Sequence, residues 1–278
     1  MRAQAIGDHQ SIPGYTLGTS AAERDRLRNQ AADLLPHSKD LFASIGVQPG
    51  WHALDLGCGP IGNLGLLAEL TGPGGSVLGM DVNADNVALA SEIVRSEGLG
   101  TVRVQAGDAR ATGLASSSFD LVHARLLLIN VPSPDEVLAE MVRLVKPGGW
   151  VTGEEADAIL VCYPRNEAWD RMCALMLRAW RLADADISIG RRLPEMYRLA
   201  GLQDIGFRVY ADGHPVGHRR RMIVPDLVRS LRPKIIAAGL ITERELDELD
   251  AAARAHIEDP ATVLAPMLYV TVSGRKPV

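Results

Sequence analysis

The stretch "LDLGCGPIGNLG", residues 54–65, decides the fold. An apolar run ends at Gly57, and Gly59 and Gly62 follow in the spacing G-x-G-x-x-G. A helical pattern then begins at Asn63. Strand, glycine turn and helix in that order open a nucleotide-binding α/β sheet. The glycines do not specify the ligand, because a tight turn serves any group held at a strand end. Asp55, two residues before the first glycine, is the residue that poses the question.

Outward from that turn the chain alternates. Strands are predicted at 51–57, 75–81, 101–108, from 119, and at 150–156, with helices at 63–71, 84–98 and 133–149 between them. Five strands separated by helices imply a parallel sheet covered on both faces, wound by right-handed crossovers. Before it lies a helix from Ser20, with Glu23 completing a capping box, then a second short helix at 36–47. After it come helices at 166–184 and 191–202, a strand near 205–210, helical pattern over 225–258 with a capping box at Thr242 and Glu245, and a closing strand at 266–276. The expected units are an N-terminal helical arm (1–45), a binding core (46–156), a helical insertion (157–204), and the last strands with an inserted helical lid at about 211–262 (205–278).

Composition bounds the function. The chain has 278 residues, 47% of them hydrophobic, and a net charge of -5. A mildly acidic protein has no electrostatic footprint for nucleic acid. No apolar run approaches the roughly 20 residues of a membrane span, and the N-terminus lacks a signal peptide's apolar segment. Three cysteines, Cys58, Cys162 and Cys173, without metal-ligand spacing fit reduced thiols in a cytoplasm. No metal ligand set is expected. All but four of the 29 basic residues are arginine, a bias that fits a GC-rich bacterial genome.

Three carboxylates end consecutive strands: Asp55, Asp81 and Asp108. Asp81 suits ribose hydroxyls, as in many nucleotide sites. Asp108 suits an exocyclic adenine amino group. Asp55 is poorly placed for an anionic diphosphate and well placed for the ammonium and sulfonium of S-adenosylmethionine.

"LDLGCGPIG", "GMDVNADNV", "AGDA", "FDLVHARLLLINV" and "LVKPGGWV" follow one another in order. This set resembles the motifs of class I S-adenosylmethionine-dependent methyltransferases, closest to the ubiquinone/menaquinone-biosynthesis group. The resemblance covers residues 45–156 and, more loosely, the last strands. It implies a doubly wound, mostly parallel seven-stranded α/β sheet whose last strand is antiparallel. It also implies S-adenosylmethionine as cofactor and S-adenosylhomocysteine as product. By resemblance, Gly57, Cys58 and Gly59 contact the methionine part, Asp81 takes the ribose diol and Val82 flanks the adenine. Gly107, Asp108 and Ala109 hold the adenine, and Arg125 lies near the amino-acid end through its backbone. Tyr15 and Gln30, in the N-terminal arm, close over the cofactor.

Tyr15, His123, Glu154 and Glu155 are the candidates for moving a proton on the acceptor. Asp120 opens a strand far from the site and reads as structural. Cys58 is not needed as a nucleophile. Trp169, Met172, Cys173, Met176 and Trp180 form a helical stripe that serves as core or as substrate wall. "HPVGHRRR", 214–221, is a solvated run or an anion site built from Arg219, Arg220 and Arg221. The expected acceptor is a small, largely apolar metabolite of secondary metabolism or a prenyl- or quinone-like molecule, held beneath the inserted helices, and self-association into a homo-oligomer is left open. Two competing readings are an NAD(P)-dependent oxidoreductase on a similar sheet and a non-catalytic module that binds S-adenosylmethionine.

Overall fold

The strand order reverses once, and that reversal places the site. β1 (His52–Leu56), β2 (Ser76–Asp81), β3 (Val102–Ala106), β4 (Phe119–Arg125) and β5 (Val145–Asp157) pair in parallel, with β2 and β3 on one side of β1 and β4 and β5 on the other. The computed structural model describes residues 21–182 and 185–278. The ribbon of β6 (Val161–Tyr163) and β8 (Val263–Ala265) stands apart from the main sheet. With β7 (Gln203–Tyr210) and β9 (Leu268–Arg275) the sheet has seven strands in the order β3–β2–β1–β4–β5–β9–β7. β9 is antiparallel to both neighbours, as the resemblance implied.

Both faces of the sheet are covered. Leu54, Leu56, Val122 and Ala124 point into the larger apolar cluster, and Ala53, Val77 and Leu121 into the smaller. Successive side chains on a strand face opposite ways, so a strand buried on both faces reads as one apolar run. The smaller cluster is closed by α1 (Ala21–Ile45), α2 (Leu64–Thr71) and α3 (Ala84–Ser96), and the larger by α4 (Pro134–Leu144), α5 (Glu167–Leu182) and α6 (Leu193–Leu199). Three further helices, α7 (Ile223–Ser230), α8 (Arg232–Ala237) and α9 (Glu243–Ile257), pack on α5 and on one another.

Some boundaries differ from the sequence pattern, each for a local reason. The two expected N-terminal helices are one, carried through Pro36. Leu34, Ser38, Leu41 and Phe42 bury one side of it, and tertiary packing outweighs the bond that Pro36 removes. Helix α4 ends at Leu144 instead of 149, because Pro147 disfavours helical backbone at Lys146. Strand β5 therefore begins five residues early, and its pairing with β4 shifts register across "KPGG". The capping box at Thr242 and Glu245 is present, with Thr242 N–H donating to Glu245 at 3.0 Å. The β6–β8 ribbon, which joins the two insertions, had no sequence signal.

Arg221 is the buried fastener of the second insertion. Its guanidinium, on a residue 2% exposed, donates to the carbonyls of Ile257, His214 and Thr262. Arg221→Leu leaves those carbonyls unpaired and should cost about 2–4 kcal/mol of unfolding free energy in urea titration. A change under about 0.5 kcal/mol, the range of ordinary surface substitutions, would show that the insertion does not depend on it.

Candidate active site

Open α/β sheets bind ligands where strand order reverses, beyond the carboxyl ends of the strands. Here that point lies between β1 and β4, and a cavity opens there. Asp55, the turn from Gly57 to Gly62, Asp81, Val82, Asn86 and Asp108 line one part. Gln30, Ala31 and Leu34 of α1 line another. Ile129, Trp180, Ile187, Ile223, Leu227 and Met267 make an apolar wall drawn from the β4 turn and both insertions.

The glycine turn carries its own amides inward. Gly57 and Cys58 N–H both donate to Met80 O, at 2.8 and 3.0 Å. Gly59 N–H donates to the Asp81 carboxylate at 2.8 Å, and Asn63 N–H to Asp55 at 2.8 Å. A diphosphate site needs such N–H groups directed at the ligand. These four are spent on the protein, so the turn does not cradle phosphate. Gly57 and Gly59 have φ of 67° and 57°. A Cβ at Gly62 (φ 42°) would stand 2.5 Å from Asp55 Oδ2, so glycine there lets the turn close on the carboxylate.

Asn63 ties this end of the sheet together. Its Oδ1 accepts from Arg125 Nη1 at 3.0 Å, which directs Nδ2 to His123 Nε2 at 2.9 Å and to Glu154 at 3.3 Å. His123 therefore accepts at Nε2 and donates from Nδ1 to Thr152 Oγ1 at 2.9 Å. Burial holds its pKa well below the usual value, so the ring is neutral beside Glu154. Arg125 also donates to Gly62 O at 3.1 Å and to Ser38 Oγ of α1 at 3.3 Å.

Residues 54–152 match a family model described as a methyltransferase domain. Demethylmenaquinone methyltransferase of Geobacillus kaustophilus is 36% identical over 214 residues, spanning 71% of this chain and 91% of that protein. The chain belongs to the class I S-adenosylmethionine-dependent methyltransferases. Within them it falls in the menaquinone-biosynthesis group. Other curated relatives are spanned less fully, over 37% of one and 47% of another. Among solved structures, YcgJ protein from Bacillus subtilis shares the fold with a TM-score of 0.58 at 17% identity, over 87% of this chain and 99% of that one. A phosphoethanolamine N-methyltransferase 2 from Haemonchus contortus does so with a TM-score of 0.57 at 19% identity, over 87% of this chain and 53% of that one. The oxidoreductase reading is set aside on both grounds, the family and the spent amides.

In this methyltransferase the three strand-end carboxylates meet at one cavity. Asp81 keeps lone pairs beyond its bonds to Gly59, Asn83 and Asn86. Asp108 pairs with Arg110 at 2.6 Å, which holds its carboxyl below the usual range. A set rich in acceptors fits a ligand that presents hydroxyl, amino and ammonium donors, as S-adenosylmethionine does. Gln30, Cys58 and Val82 line the cavity as well. Burial pushes the Cys58 thiol pKa well up, which makes it inert.

Some other expected site residues lie away from the cavity lining. Gly107 and Ala109 do not line the cavity. At Gly107 a Cβ would meet Met80 Sδ at 2.6 Å, so packing explains the glycine. Arg125 lines the cavity, and its fastening role runs through the guanidinium, not the backbone alone. His123, Glu154 and Glu155 are each 0% exposed and do not line the cavity. All three are bonded within the protein. Glu154 accepts from Tyr269 OH at 3.1 Å, and Glu155 from the amides of Leu128 and Ile129 at 2.7 and 3.3 Å. Burial raises the Glu155 pKa to about 8. Tyr15 lies outside the described residues.

The remaining candidates sort the same way. Asp120 is structural, bonded to Lys146 and to the His52 amide at the far end of the sheet. Asp157 is paired with Arg191. The arginine run is not a three-residue anion site: Arg219 pairs with Asp33, Arg221 is buried in carbonyls, and Arg220 alone lines the cavity. In the α5 stripe every member is buried in the core, and Trp180 alone also reaches the cavity. Sequence reasoning missed Asn63, Ser38, Asn130 and Tyr269. Asn63 looked like an ordinary helix start, and its side chain makes no cap bond because it turns inward.

Burial raises the Asp55 pKa from 3.8 to about 6. A neutral acid attracts no ammonium, so an ammonium held by Asp55 requires its ionised form. Affinity for S-adenosylhomocysteine, measured by calorimetry, should rise about tenfold from pH 5 to pH 7 as Asp55 ionises. Asp55→Asn should bind weakly and lose that slope. A flat profile in the unaltered protein would remove Asp55 from the ammonium site.

Proposed function

We propose that this enzyme transfers a methyl group to a small, largely apolar acceptor, of the quinone-like or secondary-metabolite kind, held between the cofactor site and the inserted helices. One observation carries the reading: a single cavity joins the acidic strand ends to the apolar wall of Ile129, Trp180, Ile187, Ile223, Leu227 and Met267. The demethylmenaquinone methyltransferase relative supports a quinone-like acceptor. The net charge of -5 supports a metabolite over nucleic acid.

S-adenosylmethionine, when bound, supplies an already activated sulfonium methyl. The protein's share is then positioning, which can account for much of a barrier by holding reactants in line. Asp55 would hold the ammonium, Asp81 the ribose hydroxyls, and Asp108 the adenine amino group. Glu155 fixes the turn after β4 through its backbone amides, and that turn forms part of the acceptor wall. The apolar wall excludes water. Tyr15 is assigned, as in the sequence reading, to closing over the cofactor and to the candidates for moving a proton on the acceptor. Gln30 is assigned with it to the cover over the cofactor, which we take to include the inserted helices. The reduced thiols support a cytoplasmic setting.

The test is transfer of tritium from methyl-labelled S-adenosylmethionine to a prenylated naphthoquinol, followed by extraction into an organic phase. Label in that phase is expected, and Glu155→Gln should keep S-adenosylhomocysteine binding while losing transfer through a loosened acceptor wall. Cofactor binding with no label in any of a panel of apolar phenols and quinols would favour the non-catalytic module instead.

A further inference from the structure

Two residues that line the cavity carry buried polar atoms without partners. Trp180, close to the end of α5, is 2% exposed, and its indole Nε1–H donates to nothing. Asn130, in the 3-10 turn Leu128–Asn130 after β4, donates from Nδ2 to Leu126 O at 2.8 Å, but its Oδ1 accepts from nothing. That Nδ2 bond fixes the amide's orientation, because a carbonyl cannot take a bond from Oδ1. Among the described residues the other orphaned buried side-chain atoms are the hydroxyls of Tyr197 and Tyr210, neither of which lines the cavity. Trp180 and Asn130 both line it.

A buried donor or acceptor left unpaired is costly, and protein interiors pair nearly all of them. One orphaned donor and one orphaned acceptor at the same cavity are explained by a ligand that brings the complement of each. The surroundings, Ile129, Ile187, Ile223, Leu227 and Met267, are apolar and set the rest of that ligand's character.

We propose that Trp180 and Asn130 are the specificity pair for the methyl acceptor. The indole N–H donates to a carbonyl or ether oxygen on the acceptor, and Asn130 Oδ1 accepts from a hydroxyl on it. The acceptor is then an apolar molecule carrying both an oxygen acceptor and a hydroxyl, and a bare hydrocarbon is rejected because it leaves both protein atoms unpaired. This rests on the reading of the cavity as a methyl-acceptor site.

The test uses the full chain saturated with S-adenosylhomocysteine and labelled with ¹⁵N at its indoles. It is titrated with 1-tetralone (carbonyl only), 1-naphthol (hydroxyl only) and tetralin (neither). Trp180→Phe keeps the ring bulk, removes the donor and assigns the Trp180 signal. Tetralone should move that indole proton downfield and bind about five- to tenfold more tightly than tetralin. The preference should fall below about twofold in Trp180→Phe. The advantage of naphthol over tetralin should survive in Trp180→Phe and vanish in Asn130→Leu. If S-adenosylhomocysteine itself does not bind, the methyltransferase reading fails and this pair with it. If it binds, and tetralone either leaves the Trp180 signal in place or binds no better than tetralin, the specificity pair alone is wrong. The wild-type signal decides this even if Asn130→Leu does not fold.

Discussion

Burying a carboxylate is the constraint around which this site is built. Asp55 on β1, and Glu154 and Glu155 on β5 beyond the intervening β4, have almost no exposure to water. An ionised acid removed from water is costly unless hydrogen bonds replace its hydration. Asn63 supplies much of that replacement, its backbone to Asp55 and its side chain to Glu154 and to the neutral ring of His123. Arg125 closes the network onto Gly62 and onto Ser38 of α1. The glycine turn, two central strands, β5 and the N-terminal helix are thereby fixed relative to one another.

That network divides the acids by task. Asp55, Asp81 and Asp108 reach the cavity, Asp55 and Asp81 with lone pairs to spare and Asp108 bonded through both oxygens to Arg110. Glu154, Glu155 and Asp157 are spent within the protein on a tyrosine, on backbone amides and on an arginine. The strand register sets the division. Asp55 stands beside His123, and Arg125 beside Glu154, so opposite and neutral partners fall next to each acid. Methyl transfer from an activated donor asks chiefly for positioning, and a rigid, fully bonded floor under the cofactor site serves that need.

The apolar side of the cavity is made differently. Its wall is assembled from the turn after β4 and from two insertions far apart in the chain, with the β6–β8 ribbon between them and Arg221 fastening the second. Apolar packing there is non-directional. Direction comes from isolated polar atoms, and Trp180 and Asn130 are the ones left unpaired.

The sequence by itself determined the sheet, its parallel core, the glycine turn and the three strand-end acids that line the cavity. All of these depend on local periodicity and on residues at strand ends, which are legible along the chain. It also identified the cofactor, because Asp55 before the turn argued against phosphate. Only the tertiary structure decided which polar residues face the cavity. His123 and Glu155 looked as catalytic as Asp55 looked binding, since each lies at the end of a strand. Asn63 looked like an ordinary helix start, and Trp180 was one member of a stripe that read as core or as substrate wall. Exposure at a strand end depends on what packs over it, here α1 and the inserted helices, and those contacts join residues too distant in sequence for any spacing to record.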